Sequence, residues 1–163
     1  MARKKREPYI PGACYHIYNR GNRRLPVYFT PRDKRFFVRK LGILLRPKKC
    51  DVELLACCLM ENHYHLILRE GEHYSIGRLM RRFLTAYGVY FNRRNSLVGQ
   101  VFQGRYQSRR VRGPEDLRQL IRYIWLNPVR AGYVENPSNY AWMYVKKGYE
   151  PEGPTLRAPD PSR

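Results

Sequence analysis

Two apolar runs separated by only two residues constrain the fold of this chain more than any other feature. Residues 52–60 are almost entirely apolar, residues 63–68 are apolar apart from two histidines, and Glu61 and Asn62 lie between them. Apolar runs of this length are typical of buried strands, and so short a connection favours pairing of the two strands as an antiparallel hairpin. The sequence therefore predicts a buried hairpin that turns at residues 61–62.

The second strand of this hairpin carries two histidines on one face. Side chains alternate along a strand, so His63 and His65 point the same way, roughly 7 Å apart along the chain, while Tyr64, Leu66 and Leu68 point the opposite way. A buried imidazole needs a partner for its ring nitrogens, and a transition metal ion is a common one. The pair is a candidate metal site, although two separately packed or surface histidines are an alternative explanation.

The charge of the chain indicates its class of partner. A length of 163 residues predicts one domain, and this one has a formal net charge of +19 with 24 arginines against 8 lysines. Guanidinium groups bind phosphates bidentately and stack on bases. The 14 tyrosines add stacking surfaces that suit single strands, although many of them are expected in the core. We expect a nucleic-acid partner.

The cysteines and the hydropathy argue against a secreted or membrane protein. Cys14, Cys50, Cys57 and Cys58 form no C-x-x-C pair, so we expect buried, reduced thiols in a cytosolic protein rather than disulfides or a zinc site. The basic N-terminus is not followed by an apolar signal segment, and no apolar run approaches about 18 residues. We expect no membrane partner.

The order of predicted elements indicates the fold class. A strand at residues 13–18 precedes a helix at 31–46, which Thr30 caps, and the hairpin precedes a helix that Ser75 caps. Residues 99–106 form a short strand or a loop, and a last helix starts at residue 114. This order suits an α+β fold, a ferredoxin-like antiparallel sheet with helices on one face and an added C-terminal helix. The predicted units are a flexible basic arm (1–12), the domain (13–149) and a Pro-rich, mostly disordered tail (150–163).

The last helix carries a phenol and an amide on one side. Tyr123 and Asn127 are four residues apart, so they stack at the flank of the apolar stripe. There they could serve a metal held by the two histidines. A half-buried packing role for Tyr123 and a helix-ending role for Asn127, which precedes Pro128, are alternative explanations.

Three blocks of the sequence stand out together. They are Asn62-His63-Tyr64-His65-Leu66, Gln103-Gly104-Arg105-Tyr106, and Tyr123-Ile124-Trp125-Leu126-Asn127-Pro128-Val129-Arg130-Ala131-Gly132-Tyr133-Val134. In this order the blocks resemble the signature of the REP-associated tyrosine transposases, relatives of the single-tyrosine HUH transposases of small insertion sequences. Tyr15-His16 and Arg20-Gly21-Asn22 near the start fit the same pattern.

The resemblance implies a metal-dependent enzyme that cuts and rejoins single-stranded DNA. His63 and His65 would bind a divalent metal, Mg²⁺ or Mn²⁺, with Asn127 completing the site. Tyr123 would attack the DNA and leave a 5′-phosphotyrosine link and a free 3′-hydroxyl. The implied substrates are hairpins of repetitive extragenic palindromes. Glu61 stands where the family usually has proline, and it either adds a carboxylate or turns the hairpin.

The residues expected to hold DNA are Arg20, Arg23, Arg24, Gln103, Arg105, Arg109 and Arg110. One rival is a non-catalytic nucleic-acid-binding module that resembles an RRM. The other is a metal nuclease that activates water. The sequence leaves open whether the protein is a monomer or a homodimer.

Overall fold

A five-stranded sheet and three helices make up the part of the chain, residues 7–151, that this computed structural model describes. The strands are β1 (Cys14–Arg20), β2 (Glu53–Leu59), β3 (His63–Arg69), β4 (Gln107–Arg110) and β5 (Met143–Val145). The helices are α1 (Pro31–Leu44), α2 (Ile76–Asn95) and α3 (Gly113–Arg130), with short 3-10 turns at Asn22–Arg24 and Pro137–Asn139.

The sheet has the predicted ferredoxin-like topology. Its strand order is β4-β1-β3-β2-β5, and every neighbouring pair is antiparallel. The elements β1, α1, β2, β3, α2 and β4 form the ferredoxin-like unit, while α3 and β5 are additions to it. The predicted α+β class is confirmed, and β2 and β3 form the predicted hairpin.

Local capping explains where the first two helices begin. Thr30 precedes α1, and its backbone N–H donates to Oδ2 of the fully buried Asp33 at 2.9 Å. Ser75 precedes α2, and its Oγ accepts from the backbone N–H of Arg78 at 3.1 Å. Side chains that satisfy the unpaired donors of a first turn fix the helix start. Both predicted caps are confirmed.

Helices cover both faces of the sheet. On one face Tyr64, Leu66 and Leu68 of β3 belong to the core that α1 and α2 build. On the other face Ile67 belongs to a second core, which α3 and β5 complete through residues such as Ile124. His63 and His65 share the face of Ile67, since side chains alternate along β3. They therefore lie on the side of the sheet that α3 covers.

The last helix differs from the sequence expectation. α3 continues through Pro128 to Arg130, so the interpretation of Asn127 as a helix-ending residue is wrong. Proline lacks the N–H for one helical bond, but Pro128 lies in the last turn and is buried. Helical hydrogen bonding continues beyond the proline, because the N–H of Ala131 donates to the carbonyl of Asn127 at 3.0 Å.

Residues 99–106 form a loop with one β-bridge, between Phe102 and Gly21, and β4 follows it. Residues 1–6 of the predicted arm and 152–163 of the predicted tail lie outside the described residues. Tyr15 of β1 holds the segment that precedes the strand, residues 7–13, since its hydroxyl donates to the carbonyl of Pro8 at 3.1 Å. No helix within residues 7–151 has the length and apolar character to cross a membrane.

Candidate active site

Three histidines from two adjacent strands meet under α3. The ring centroids of His63 and His65 are 5.1 Å apart. His16 of β1 lies beside them, with its Nε2 2.9 Å from Nδ1 of His65. The sequence left His16 between a site role and simple packing. The structure pairs it with the more deeply buried of the two hairpin histidines.

Burial keeps all three rings neutral. Burial, and after it the proximity of His16 and His63, lowers the pKa of His65 to about 3. Burial and the Arg109 guanidinium lower the pKa of His16 to about 4, and burial lowers the pKa of His63 as well. Each imidazole therefore has a lone pair near pH 7, which is the form that binds metal ions.

Asn62 fixes which nitrogen of His63 carries the hydrogen. Its Nδ2 donates to the carbonyl of Arg24 at 3.1 Å, so its Oδ1 is the atom that faces Nδ1 of His63, 2.7 Å away. An amide oxygen can only accept, so Nδ1 must donate and Nε2 keeps the lone pair. Asn62 was not among the predicted site residues, although its position directly before His63 in the motif was a usable signal.

Tyr123 of α3 lies over the histidine pair. Its ring centroid is 6.1 Å from that of His65, with the rings nearly perpendicular, and 46% of the residue is exposed. The guanidinium carbon of Arg130 lies 5.0 Å from the centre of the Tyr123 ring. The structure thus brings together a phenol from late in the chain and the imidazoles of the hairpin.

Asn127 is one helical turn beyond Tyr123. Its Nδ2 is buried and has no hydrogen-bond partner among the described residues, which ordinarily costs about 1–3 kcal/mol. In the described part of the chain, no three His, Cys, Asp or Glu side chains are arranged to hold a metal ion. In an asparagine the amide oxygen, not this nitrogen, is the atom that can bind a metal ion, so Oδ1 of Asn127 is the candidate third ligand beside His63 and His65. Asn127 does not line the open cleft.

Glu61 lies at the hairpin turn, and its side chain contacts Tyr133. Its Oε2 is 3.5 Å from the hydroxyl of Tyr133, and its backbone carbonyl accepts from the N–H of Val27 at 3.1 Å. Of the two roles left open by the sequence, this geometry favours the turn.

A cleft of about 920 Å³ opens beside the histidines and Tyr123. Four of the predicted DNA-binding residues line it, namely Arg20, Arg24, Gln103 and Arg105. Arg23, Arg109 and Arg110 do not. Arg109 instead holds the carboxylate of Asp116 with two nitrogens, at 2.9 and 3.1 Å, so its guanidinium is already partnered.

The basic wall of the cleft is fastened to the end of β1. Nε of Arg20 donates to Oε1 of Gln103 at 2.5 Å, and the backbone N–H of Gln103 donates to the carbonyl of Arg20 at 2.9 Å. Asn19 adds a bond from its Nδ2 to the carbonyl of Gly104 at 3.0 Å. These bonds hold the loop that carries Arg105 against the strand that carries His16.

Tyr18 is a further cleft residue that sequence reasoning did not assign. It alternates with His16 on β1, its ring centroid is 4.7 Å from that of His16, and 37% of the residue is exposed. An exposed ring on the wall of a basic cleft is suited to stacking on a nucleobase. Its alternation with His16 was the signal that could have identified it.

Gly21 is required for the turn after β1, which leads to a stability prediction. A Cβ at this position would lie 1.9 Å from the backbone oxygen of Leu25. We expect Gly21→Ala to lower the free energy of unfolding by about 1–3 kcal/mol, as measured by urea denaturation. The matched control is Gly42→Ala in α1, where a Cβ meets nothing within 4 Å and a gain of about 0.5–1 kcal/mol is expected. Equal stability of Gly21→Ala and the parent protein would contradict this.

A family model and two solved structures that match this chain are all described as transposases. The family model described as "Transposase IS200 like" matches residues 11–126, whereas no curated protein matches the sequence significantly. A solved structure of a REP-associated tyrosine transposase bound to a REP hairpin is 19% identical, with a TM-score of 0.70 over 87% of this chain and 82% of that one. A putative transposase from Deinococcus radiodurans R1 is 17% identical, with a TM-score of 0.50 over 74% of this chain and 94% of that one. At these identities the two structures establish a shared fold.

Proposed function

The chain belongs to the IS200-like transposase family, and from this premise we propose that it cuts and rejoins single-stranded DNA through a covalent link to Tyr123. The observation that carries the proposal is the 6.1 Å separation between the rings of Tyr123 and His65. Both residues line the same basic cleft. A nucleophile, metal-binding imidazoles and phosphate-binding guanidinium groups are the parts that such a reaction needs.

Tyr123 is the proposed nucleophile. Its phenol oxygen attacks the scissile phosphorus, so an O–P bond to tyrosine forms while the bond from phosphorus to the 3′ oxygen breaks. The phenol loses one proton in this step, and the departing 3′ oxygen gains one to become a hydroxyl. Two features support this role: the ring is half exposed, and Arg130 packs over it at 5.0 Å, which limits the directions in which the oxygen can point.

The donor atoms fit a divalent metal ion. His63 retains its Nε2 lone pair, His65 has its own Nε2 available when its Nδ1 donates to His16, and Asn127 on α3 can offer its amide oxygen. We propose these three as the ligands of Mg²⁺ or Mn²⁺, with two imidazoles making Mn²⁺ at least as suitable. The ion, when bound, would neutralise charge on the scissile phosphate.

Hairpin or palindromic repeat DNA is the proposed substrate. The REP-associated transposase that shares this fold is bound to a REP hairpin. Arg20, Arg24, Gln103 and Arg105 are proposed to hold the strand that enters the cleft, with phosphates as the main contacts. Arg23 and Arg110 lie outside the cleft, so we propose them only as contacts to flanking DNA, whereas Arg109 is held by Asp116.

The covalent link also explains how joining follows cutting. The phosphotyrosine bond conserves the energy of the phosphodiester, so a 3′-hydroxyl can reverse the step without ATP. The incoming hydroxyl attacks phosphorus, the tyrosine oxygen leaves, and the proton returns to the phenol. One cleft can therefore serve both halves of a strand transfer.

Incubation with an end-labelled, single-stranded hairpin oligonucleotide and Mn²⁺ or Mg²⁺ tests the proposal. We expect a protein–DNA adduct that survives denaturation and that does not form when EDTA is present from the start of the incubation. Cleaved DNA without a protein-linked product would instead indicate a nuclease that activates water. Salt-sensitive binding with neither cleavage nor a metal requirement would indicate a non-catalytic module that resembles an RRM.

The hydrogen bond from His63 to Asn62 leads to a prediction about metal affinity. Leucine at position 62 cannot accept from Nδ1, so His63 loses the bond that keeps its Nε2 lone pair available. We expect Asn62→Leu to weaken Mn²⁺ binding by about 10- to 100-fold in isothermal titration calorimetry. Asn62→Asp keeps an accepting oxygen and should bind at least as well as the parent protein. An Asn62→Leu protein with unchanged Mn²⁺ affinity would show that this bond does not control the ligand.

A further inference from the structure

The outer layer formed by α1 and α2 carries charge of one sign. Each helix has five Arg or Lys residues, and the two have one carboxylate between them, Asp33. Asp33 is fully buried, where it caps α1 and pairs with Arg94 at 3.4 Å. In these two helices, which the structure describes from end to end, every exposed charge is therefore positive.

This pattern differs from that of α3 and is unfavourable for the helices themselves. On α3, Glu115 and Asp116 pair with Arg118 and Arg109. On α1 and α2, like charges stand four residues apart, as in Arg35 with Arg39 and Arg78 with Arg82. Each such pair destabilises a helix by a few tenths of a kcal/mol, at roughly 0.2–0.5. A bound polyanion would remove this repulsion.

A groove between the two helices gathers part of this charge. It has a volume of about 700 Å³, and Lys40, Arg81, Arg82 and Arg93 line it. The rings of Phe36 and Tyr90 in its wall stack on each other, with centroids 3.6 Å apart. Because each ring already covers the other, the groove suits phosphates along its rim better than bases stacked on its floor.

The groove is separate from the catalytic cleft. α1 and α2 pack on the face of the sheet that carries Tyr64 and Leu66, whereas the histidines lie on the opposite face. A layer of helices about 10 Å thick and the sheet itself stand between the two surfaces. The same stretch of a DNA strand therefore cannot occupy the cleft and the groove together.

We propose that the α1–α2 groove is a second DNA-binding surface, which holds the backbone of duplex DNA without reading its sequence. α2 has 20 residues, a length of about 30 Å, and this spans about 9 base pairs at 3.4 Å each. The surface adds duplex binding to the proposed strand-transfer function and does not depend on its chemistry. Double-stranded DNA beside the cleaved hairpin is the natural occupant.

The salt dependence of duplex binding tests this inference. The combined variant Lys40→Gln, Arg81→Gln and Arg93→Gln would be titrated without metal against a fluorescent blunt duplex of about 12 base pairs, at several salt concentrations. Each lost phosphate contact should reduce the slope of log affinity against log salt by about 0.9, so we expect a reduction of about 2–3. The single variant Arg81→Gln should reduce it by about 1, which guards against misfolding of the triple variant.

A control of equal charge separates a defined surface from a general effect of net charge. Lys48→Gln, Lys49→Gln and Lys147→Gln remove three exposed lysines that lie outside both helices, and the slope should change by less than about 1. An equal reduction in both triple variants would overturn the inference, and so would an unchanged slope in the groove variant. The groove variant would also be titrated against polyglutamate. If it lost polyglutamate binding but kept duplex binding, the inference would be overturned in favour of an acidic protein partner. Adduct formation on a short single-stranded DNA is measured separately. Failure of the proposed chemistry would therefore not affect the interpretation of duplex binding.

Discussion

Tyr123→Phe is expected to reduce formation of the protein–DNA adduct by at least about 1,000-fold. The substitution removes one oxygen, the atom proposed to bond to phosphorus, and leaves the ring. The ring contacts with His65 and Arg130 can therefore persist, and hairpin affinity should stay within about 2-fold. Adduct yield on a denaturing gel and hairpin binding by fluorescence anisotropy measure the two quantities.

Tyr133→Phe is the matched control for this experiment. Tyr133 follows the same helix and is also exposed, but its hydroxyl faces Glu61 at 3.5 Å rather than the histidines. It should form the adduct as the parent protein does. An adduct of normal yield with Tyr123→Phe would exclude Tyr123 as the nucleophile, whatever the control does.

His65→Ala is expected to weaken Mn²⁺ binding by at least about 100-fold. Loss of a proposed metal ligand should weaken binding more than loss of a residue that only orients a ligand, such as Asn62. The change removes an imidazole and also leaves Nε2 of His16 without its partner at 2.9 Å. Isothermal titration calorimetry measures the affinity. Because His65 is only 8% exposed, urea denaturation of the same variant must show that the fold persists.

His73→Ala provides the comparison for the metal experiment. His73 is exposed and pairs with Asp51 at 3.1 Å, in the loop before α2. Its replacement should leave Mn²⁺ affinity unchanged. If His65→Ala bound Mn²⁺ as tightly as His73→Ala does, the histidine pair would not be the metal site.

The parts of the fold that follow from local pattern were predicted well. The hairpin of β2 and β3 is confirmed because its apolar runs are long and its connection is short. The starts of α1 and α2 are confirmed because Thr30 and Ser75 are strong caps. β5 has three residues and β4 has four, which is too short for an alternating pattern to stand out. Their pairing depends on strands that are distant in the sequence.

The candidate site illustrates the same limit for side chains. Alternation along one strand predicted the shared face of His63 and His65. Placing His16 beside them requires the register between β1 and β3, in which Tyr18 pairs with His65, and no local pattern contains that register. The pairing of Arg109 with Asp116 likewise joins β4 to α3, so the sequence alone left Arg109 as a free DNA contact.

The position of Tyr123 on a helix packed over its own sheet has a consequence for the order of events. In the proposed mechanism, its single phenolic oxygen would carry one severed DNA end at a time. Excising a segment requires two breaks, so the breaks must either occur in turn within one molecule or be divided between two molecules. In that mechanism, the number of nucleophiles, rather than the size of the cleft, sets how many DNA ends one molecule can hold covalently at once.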